Sequence, residues 1–545
     1  MRLTADGPGP EYPIGLGDTR AQSEDWNLPK IVTVKEMVDI EKAADVAGHS
    51  YAQMMEHAGK SIADALLARL SDISGKQVLV LAGTGNNGGD GLVAARWLAE
   101  AGANLTIYLT KERPADDPHL VALRELGVLI AVSEQDQRNR VLKLQLGRSD
   151  ILVDAVLGTG FELPLRGAAK RVLKAAKQSH PRAFVVAVDC PSGLDCDTGE
   201  VAEESLAADL TVTLAAAKPG LFRFPGAEYV GEMVIGDIGL PSQLEELASV
   251  KAEVVTAEPL HRLLPARPLD AHKGTFGRAL IVAGSINYPG AAALAGRAAY
   301  LAGAGLVTLA VPSPVQSMIA GALPECTWLP LGDTLEAAGA DLLGSEWENT
   351  QALLLGPGFG LQPKTAGFLE GIVGAGVELP PVIVDADGLK LMARIEGWEA
   401  LLPDSSILTP HPGEMSVLTG IPTQEIQARR SELAILKAAE WGHIVVLKGA
   451  FTVIAHPDGR SALIPIATAA LARAGTGDVL AGLLVGYRAQ GLPSYEASVL
   501  GSYIHARAGL LAAQTIGTAA SILAGDVAAA VPRAIAELES LAMLS

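Results

Sequence analysis

The chain has 545 residues, 49% of them hydrophobic, and this length predicts about two to four domains. Its net charge of −19 argues against a nucleic-acid-binding surface, which would need a basic patch. The three cysteines, Cys190, Cys196 and Cys326, have neither the spacing of a metal site nor that of a disulfide framework, so a cytoplasmic protein is expected.

The N-terminal third begins with a segment that is not expected to fold. Residues 1–30 have no apolar signal-peptide core and are rich in Gly, Pro and acids, which predicts a disordered extension. Residues 32–70 then show the apolar spacing of two helices. Met54 and Met55 fall on the second helix, where core packing is the simpler interpretation.

A glycine-rich stretch, Gly83–Gly91, follows the apolar run Val78–Ala82 and precedes an amphipathic run. This order predicts a strand, a turn and a helix whose N-terminus attracts anions such as phosphate. The glycines are expected to allow positive φ and close approach of a ligand, and Asn86 and Asn87 tolerate left-handed geometry and offer carbonyl oxygens. The spacing is not that of the dinucleotide or P-loop motifs, and an ordinary glycine-rich turn is the alternative.

Further apolar runs alternate with helical patterns, which predicts a parallel, doubly wound sheet with ligands at the carboxyl ends of its strands. Two more motifs follow predicted strands, Asp154–Gly160 and Asp189–Asp195. Together with Asn87 and Ser192 they supply oxygen ligands, which favour a hard cation. Turn or capping chemistry is the alternative for each Asp alone. The predicted strands are Leu105–Leu109, Val128–Val132, Ile151–Leu157, Phe184–Val188, Leu210–Leu214 and Tyr229–Ile235.

Residues 31–240 resemble the NAD(P)H-hydrate epimerase domain of the YjeF N-terminal family, through the runs Met55–Gly59, Gly85–Gly91, Asp154–Gly160 and Asp189–Gly193. The resemblance implies interconversion of the R and S forms of a nicotinamide ring hydrated at C6, for which a positioned carboxylate is suited. It implies that Asp189 contacts the substrate and is the candidate acid or base, and that a potassium ion is held by Asn87, Asp154 and Ser192. The implied substrate-binding residues are Asn86, Asn87, Gly88, Gly89, Asp90, Gly158, Thr159, Gly160, Phe161, Glu162, Leu163, Pro164 and Asp189.

Two residues depart from that family's pattern. His57 stands where Asn is usual, and Cys190 stands where an aliphatic residue is usual. Neither change removes an implied ligand. Cys190 has no evident base partner, so it is interpreted as a packing residue.

The second half repeats the alternation of strands and helices. Residues 290–311 are the most membrane-like part of the chain, but Arg297 and glycines interrupt them, which predicts a buried helix followed by a strand. Gly475–Asp478 opens a helix and places a carboxylate beside an anion-binding N-terminus; taking a proton from an attacking hydroxyl would explain it, and helix capping is the alternative. The predicted strands are Arg278–Ala283, Leu306–Val311, Ala352–Leu355, Val382–Val384, Ile444–Val446 and Phe451–Ala455, and most are followed by polar or glycine-rich motifs.

Residues 260–540 resemble the ADP- or ATP-dependent NAD(P)H-hydrate dehydratases, a ribokinase-like family, through His272–Gly274, Gly356–Gly360, Pro410–Glu414, Lys448–Ala450 and Gly475–Gly482. The resemblance implies dehydration of the S hydrate, with Asp478 activating the ring hydroxyl for phosphorylation. Arg473 stands where a small residue is commoner, and either a phosphate contact or exposure to solvent would suit it. The implied hydrate contacts are Ala291, Gly358, His411 and Asp478, and the implied nucleotide contacts are Lys448, Gly449, Ala450, Phe451, Thr452 and Gly477.

The order of the two resemblances matches that of bifunctional NAD(P)H-hydrate repair enzymes. The expected fold is α/β with two doubly wound domains, a Rossmann-like one at 31–245 and a ribokinase-like one at 260–545. The resemblance implies potassium, magnesium and ADP (or ATP) as cofactors or co-substrate. A homo-oligomer without nucleic-acid or membrane partners is also expected. Two alternatives stay open: a ribokinase-like small-molecule kinase with a non-catalytic N-terminal module, and a non-catalytic scaffold.

Overall fold

The structure, a computed structural model, describes residues 28–70, 72–179, 182–241 and 243–542. Most of the predicted N-terminal extension lies outside these ranges. Its last residues are an exception, because Leu28 is buried in the core of the second half and Lys30 Nζ pairs with Glu253 Oε1 at 2.6 Å. Leu28 and Lys30 therefore belong to the packed structure and contact the C-terminal half.

The first half folds around a parallel sheet of seven strands. The strand order is β3-β2-β1-β4-β5-β6-β7, so the direction of winding reverses between β1 and β4, where ligand sites form in such sheets. The strands are continuous apolar runs because helices cover both faces of the sheet. They are β1 (Gln77–Ala82), β2 (Asn104–Leu109), β3 (Leu129–Val132), β4 (Ile151–Ala155), β5 (Phe184–Val188), β6 (Leu210–Leu214) and β7 (Glu232–Gly236).

Six helices accompany this sheet, and the first two confirm the prediction for residues 32–70. The first starts with a capping box in which Thr33 and Glu36 satisfy each other's backbone N–H groups. The second packs closely on the third, because a Cβ at Gly59 would lie 2.4 Å from Val93 Cγ1. The helices are α1 (Val34–Val46), α2 (Tyr51–Leu70), α3 (Asn86–Glu100), α4 (Pro118–Glu125), α5 (Arg140–Leu146) and α6 (Gly167–Gln178).

The join between the halves contains α7 (Glu245–Ala248), β8 (Ala252–Val254) and α8 (Ala257–Leu260). β8 was not predicted, and it pairs with the strand Ser461–Leu463 at the edge of the second sheet. The other strands of that sheet are β9 (Arg278–Val282), β10 (Leu306–Val311), β11 (Thr327–Pro330), β12 (Ala352–Leu355), β13 (Val382–Val384), β14 (Ile407–Leu408), β15 (Ile444–Leu447), β16 (Val453–Ala455) and β17 (Ser461–Leu463).

The second sheet has ten strands in the order β11-β10-β9-β12-β13-β14-β15-β16-β17-β8. Its pairs are parallel except β15–β16 and β16–β17, which form antiparallel hairpins. Its helices are α9 (Pro289–Leu301), α10 (Ser313–Ile319), α11 (Ala337–Ala340), α12 (Pro363–Val373), α13 (Asp387–Met392), α14 (Pro412–Thr419), α15 (Thr423–Ala428), α16 (Arg430–Trp441), α17 (Thr476–Ala489), α18 (Ser494–Ile516) and α19 (Ala524–Ala542).

Residues 290–311 form most of α9 followed by β10, as predicted. Within the described part of the chain, every helix is too short or too polar to cross a membrane. α9 packs against α17 so closely that a Cβ at Gly482 would lie 2.3 Å from the Ala295 carbonyl oxygen. The expected fold class, two doubly wound α/β units, is confirmed.

The two halves also share a hydrophobic core. One cluster of buried side chains contains Leu194, Leu221 and Phe222 from the first half together with Leu447 and Val453 from the second. The halves are therefore packed against each other through apolar side chains as well as joined by the chain.

Candidate active sites

The glycine-rich stretch after β1 is mostly helix. Gly85 is the N-cap residue of α3, which begins at Asn86. None of the glycines from Gly83 to Gly91 has positive φ, and Asn86 and Asn87 are helical, so the expectation of left-handed geometry is wrong. Their role is close packing, because a Cβ at Gly83 would lie 2.1 Å from the Val156 carbonyl oxygen and one at Gly91 would lie 2.4 Å from Ala155 Cβ. Because these glycines have no side chains, the N-terminus of α3 packs directly against the end of β4.

At the end of β4 the carboxylate of Asp154 is buried and is joined to Ser192. The Ser192 hydroxyl donates to Asp154 Oδ1 at 2.6 Å, and the Ser192 backbone N–H donates to Oδ2 at 3.0 Å. The Leu157 N–H donates to the same hydroxyl at 2.8 Å. Burial raises the pKa of Asp154, although hydrogen bonds from Ser192 and Val156 oppose the shift, and among the described residues no cation forms an ion pair with it. The structure thus brings two of the three predicted potassium ligands into direct contact.

The third predicted ligand, Asn87, is buried beside the loop that follows β4. A Cβ at Gly158 would lie 3.3 Å from Asn87 Oδ1, so the amide lies against the start of the predicted substrate loop Gly158–Pro164. Its Nδ2 is buried and has no hydrogen-bond partner among the described residues. The side chain is therefore available to a ligand in this crevice.

Asp189 follows β5 in a left-handed conformation, with φ of 65°. Its carboxylate forms an ion pair with Lys218, and Oδ1 also accepts the Leu214 N–H at 3.1 Å. Lys218 is only 1% exposed, and its ammonium donates further to Thr213 Oγ1 and to the Leu214 carbonyl oxygen. The nearby Asp189 carboxylate outweighs burial and leaves the pKa of Lys218 raised, which keeps the lysine charged. A strained backbone held by a buried ion pair is typical of a functional site.

Two more acidic residues, Asp90 and Glu41, interact electrostatically with the Asp189–Lys218 pair. The carboxyl of Asp90, in the first turns of α3, is buried, and burial followed by repulsion from Asp189 and Glu41 raises its pKa well above the ordinary value. Burial and Asp189 also raise the pKa of Glu41 on α1. The first site therefore combines an ion-paired carboxylate with a neighbouring carboxyl that favours its neutral form.

Lys218 and Glu41 were not predicted as parts of this site. Glu41 lies within an ordinary amphipathic helix, where its sequence context gives no signal. Lys218 directly follows the apolar residues Ala215–Ala217, and a lysine in such a position is seldom buried without an acidic partner. The position of Lys218 after this apolar run is the sequence feature that could have identified it as a site residue.

Cys190 is a packing residue, as interpreted from the sequence. It is fully buried and unpaired by a disulfide. A hydrogen bond with the Cys196 thiol, together with burial, raises the pKa of Cys190 well above its ordinary value. A thiol with a raised pKa is a poor nucleophile at neutral pH.

A second site lies at the carboxyl ends of β13 and β15. Lys448 Nζ contacts Asp385 Oδ1 at 2.5 Å, and the Thr409 hydroxyl donates to the same oxygen at 2.6 Å. Lys448 also lies 3.7 Å from Glu414 Oε2. Lys390 pairs with Asp387 at 3.1 Å on α13. No role was predicted for Asp385, Asp387 or Glu414, although Glu414 ends the Pro410–Glu414 motif.

His411 and Glu414 are joined at the start of α14. His411 Nδ1 accepts the Gly413 and Glu414 N–H groups at 3.0 and 3.2 Å, which leaves its other nitrogen as the donor. That nitrogen, Nε2, lies 3.2 Å from Glu414 Oε1. Burial alone would raise the pKa of Glu414, but the His411 hydrogen bonds and Lys448 outweigh it and lower the pKa to about 2.

Protonation of Glu414 at low pH should destabilise the folded protein. Because its pKa is lowered from 4.5 to about 2, its contribution to stability is complete above about pH 4.5 and is lost as the pH falls towards 2. We expect Glu414→Gln to lower the free energy of unfolding by about 3 kcal/mol at pH 7 and by much less at pH 3. Urea unfolding of both proteins at the two pH values measures this, and an equal difference at both would contradict it.

Asp478 is not a helix cap. The N-cap residue of α17 is Gly475, with φ of 89°, and Asp478 is the third residue of the helix. Burial, followed by repulsion from the Asp385 carboxylate, raises the pKa of Asp478 to about 7, although Lys448 opposes the shift. A carboxylate with this pKa exchanges a proton readily at neutral pH.

A cavity of about 470 Å³ opens beside this cluster. Six predicted residues line it: His411, Lys448, Gly449, Ala450, Thr452 and Gly477. Arg473 also lines it and donates to the Ala520 carbonyl oxygen, so it is anchored at the rim. Ala291 and Gly358 contact each other outside this lining, since a Cβ at Gly358 would lie 2.8 Å from Ala291 Cβ. The sequence missed Ser502 and His505, which line the cavity from α18.

Comparisons with known proteins match both halves. A family model described as "YjeF-related protein N-terminus" matches residues 51–220, and one described as "NAD(P)H-hydrate dehydratase" matches residues 279–533. The bifunctional NAD(P)H-hydrate repair enzyme of Moorella thermoacetica is 36% identical over 498 residues, which cover 89% of this chain and 92% of that protein. The Escherichia coli enzyme of the same description is 34% identical over 499 residues, 91% of each chain.

A solved structure is similar to about half of the chain. It is the ADP/ATP-dependent NAD(P)H-hydrate dehydratase from Bacillus subtilis, co-crystallised with ATP/Mg²⁺. It is 35% identical, with a TM-score of 0.46, and the match covers 52% of this chain and 97% of that one.

Proposed function

Because this chain belongs to the family of bifunctional NAD(P)H-hydrate repair enzymes, with an epimerase half and a dehydratase half, we propose that its two candidate sites carry these two activities. The first site would interconvert the R and S hydrates of NADH and NADPH. The second would return the S hydrate to the reduced nucleotide at the expense of ADP or ATP. Two observations support this assignment. In the first site the ion-paired carboxylate of Asp189 lies near Asp90, which favours its neutral form, and in the second site Asp478 lies in the first turn of a helix whose N-terminus attracts anions.

In the first site, Asp189 is the proposed base and Asp90 the proposed acid. Inversion at C6 requires either opening of the ring at the C6–N1 bond or loss and return of water. Both routes need one group that accepts a proton and one that donates it. Lys218 forms a direct ion pair with Asp189, while burial raises the pKa of Asp90 and favours its neutral form. Lys218 is thus proposed as a positioning residue, since it acts through Asp189.

Potassium fits the crevice beside this pair. Asp154 is a buried carboxylate that pairs with no cationic side chain in the described part of the chain, and Ser192 adds a hydroxyl oxygen in contact with it. The amide nitrogen and oxygen of Asn87 exchange places on a half-turn of the side chain, so its unpartnered position can present an oxygen. A bound cation would supply the missing positive charge and fix the loop after β4.

In the second site, Asp478 is the proposed base that takes the proton of the C6 hydroxyl as that oxygen attacks the terminal phosphate. The loop Lys448–Thr452 and the N-terminus of α17 would hold the nucleotide phosphates, because both present N–H groups or a positive charge to the cavity. Departure of the phosphate from C6, together with loss of the C5 proton to water, then restores the C5=C6 double bond. Magnesium is proposed to enter with the nucleotide, since it binds mainly through substrate phosphates.

The pH dependence of dehydration tests this role. Asp478 accepts a proton only when it is ionised, so kcat/KM for the S hydrate should rise about tenfold per pH unit below about pH 7 and level off above it. Recovery of absorbance by reduced nicotinamide, followed from pH 5.5 to 8.5 with saturating ADP, measures the profile. A flat profile across this range would refute Asp478 as the base.

We propose 31–245 as the epimerase domain and 260–545 as the dehydratase domain, with the short strand β8 lying between these bounds. A homo-oligomer in the cytoplasm, and a preference for ADP over ATP, stay predictions. Size-exclusion chromatography with light scattering would measure the oligomeric state.

A further inference from the structure

The loop after β15, Lys448–Thr452, contains a residue in a left-handed conformation, and hydrogen bonds from α16 hold its first residue. Phe451 has φ of 56°, a left-handed conformation that a phenylalanine adopts at a cost in free energy. Underneath, Arg430 of α16 donates from Nη2 to the Leu447 and Lys448 carbonyl oxygens at 2.8 and 3.2 Å. These bonds fix the start of the loop, but they do not reach Phe451.

The ring of Phe451 is held instead by the other half of the chain. It packs edge-on against Phe222, with ring centroids 5.7 Å apart and planes at 67°. It also contacts Phe224, at 5.9 Å and 37°. Both distances are in the range where aromatic rings attract each other. Between these two residues, Arg223 lies 3.6 Å from Glu432 on α16.

The segment that carries these rings is itself firmly placed. Gly220 approaches Asp195 so closely that a Cβ would lie 2.3 Å from its carbonyl oxygen. Phe222 is buried in the core shared by the two halves. The segment begins at Lys218, whose ammonium pairs with Asp189 in the first site. The segment therefore connects the Lys218–Asp189 ion pair of the first site to the loop Lys448–Thr452 of the second.

We propose that the epimerase half positions the nucleotide loop of the dehydratase half, with Phe222 and Phe224 holding Phe451 in its left-handed conformation. The inference rests on the proposed function, because the assignment of this loop to the nucleotide is itself a proposal. A loop kept in its binding conformation before the nucleotide arrives loses less freedom on binding, so the contact increases affinity. Removal of the contact should weaken nucleotide binding and leave the chemical step little changed.

Phe224→Ala tests the contact without opening the core, because Phe224 is 57% exposed. We expect the KM for ADP to rise about three- to tenfold, with kcat at saturating ADP changed less than about twofold. Leu144→Ala is the matched control: it truncates a side chain 50% exposed on α5, away from this interface, and should leave the KM for ADP unchanged. Epimerisation without nucleotide should stay at the wild-type rate in both variants.

A double-mutant cycle with Phe451→Ala shows whether Phe224 acts through Phe451. We expect Phe224→Ala to have no further effect on the dissociation constant for ADP once Phe451 is alanine. An unchanged KM for ADP in Phe224→Ala, or a full effect in the Phe451→Ala background, would overturn the inference. Lys448→Ala separates this from failure of the proposed function: if it leaves ADP binding intact, the loop is not the nucleotide site and both proposals fail.

Discussion

Asp478→Asn should abolish dehydration of the S hydrate and leave epimerisation intact. Asparagine keeps the size of the side chain but cannot accept the hydroxyl proton, so we expect kcat for dehydration to fall by about 10²- to 10⁴-fold. The first site lies in the other half of the chain and has its own carboxylates, so the R and S hydrates should still interconvert at the wild-type rate. Chiral chromatography of the hydrates, with and without ADP, measures both activities.

A matched control is Asp458→Asn, which makes the same change in the turn between β16 and β17, at the end of that hairpin remote from the nucleotide loop. Asp458 pairs there with Arg460 at 2.8 Å, and this exposed pair contributes little to stability. The control should dehydrate the S hydrate normally. If Asp478→Asn lost epimerisation as well, the two-site account would be wrong.

Asp189→Asn should have the opposite effect. An amide cannot serve as the base, and it leaves the buried Lys218 ammonium without its ionic partner. We expect epimerisation to slow by about 10²- to 10⁴-fold while dehydration of the S hydrate continues. With racemic hydrate and ADP, only the S fraction should then be converted rapidly.

Asp209→Asn is the corresponding control in the same sheet. Its carboxylate accepts the Val185 N–H at 2.8 Å, at the end of β5 opposite to Asp189. It should epimerise the hydrates normally if it folds, which circular dichroism checks. Normal epimerisation by Asp189→Asn would instead shift the role of base to another carboxylate of the crevice.

Most of the fold could be predicted because its strands are continuous apolar runs. β5, β6, β10, β12 and β13 have the boundaries predicted from the sequence. The missed strands β8, β11, β14 and β17 have only two to four residues each, which is too short for a clear periodic signal. The sheet order and the antiparallel β15–β17 hairpins depend on long-range pairing that a local pattern does not encode.

The sites were predicted in position more fully than in detail. The motifs at the strand ends do meet in two crevices, since parallel strands place their carboxyl ends at one edge. Lys218 was missed because its partner Asp189 is distant in sequence, and the role of the glycines was misjudged because close packing of α3 on β4 is a tertiary contact. The contact of Phe451 with Phe222 and Phe224 joins two halves that the sequence treats separately.

The most direct test of the account is the extent of conversion of racemic NADH hydrate by the purified protein with potassium, magnesium and ADP. Absorbance near 340 nm reports the NADH that is formed, and the rate of spontaneous epimerisation is subtracted. The account predicts conversion of both hydrates, dependent on nucleotide. Rapid conversion of only the S fraction would contradict an active epimerase half, and accumulation of a stable phosphorylated product without NADH would indicate a small-molecule kinase.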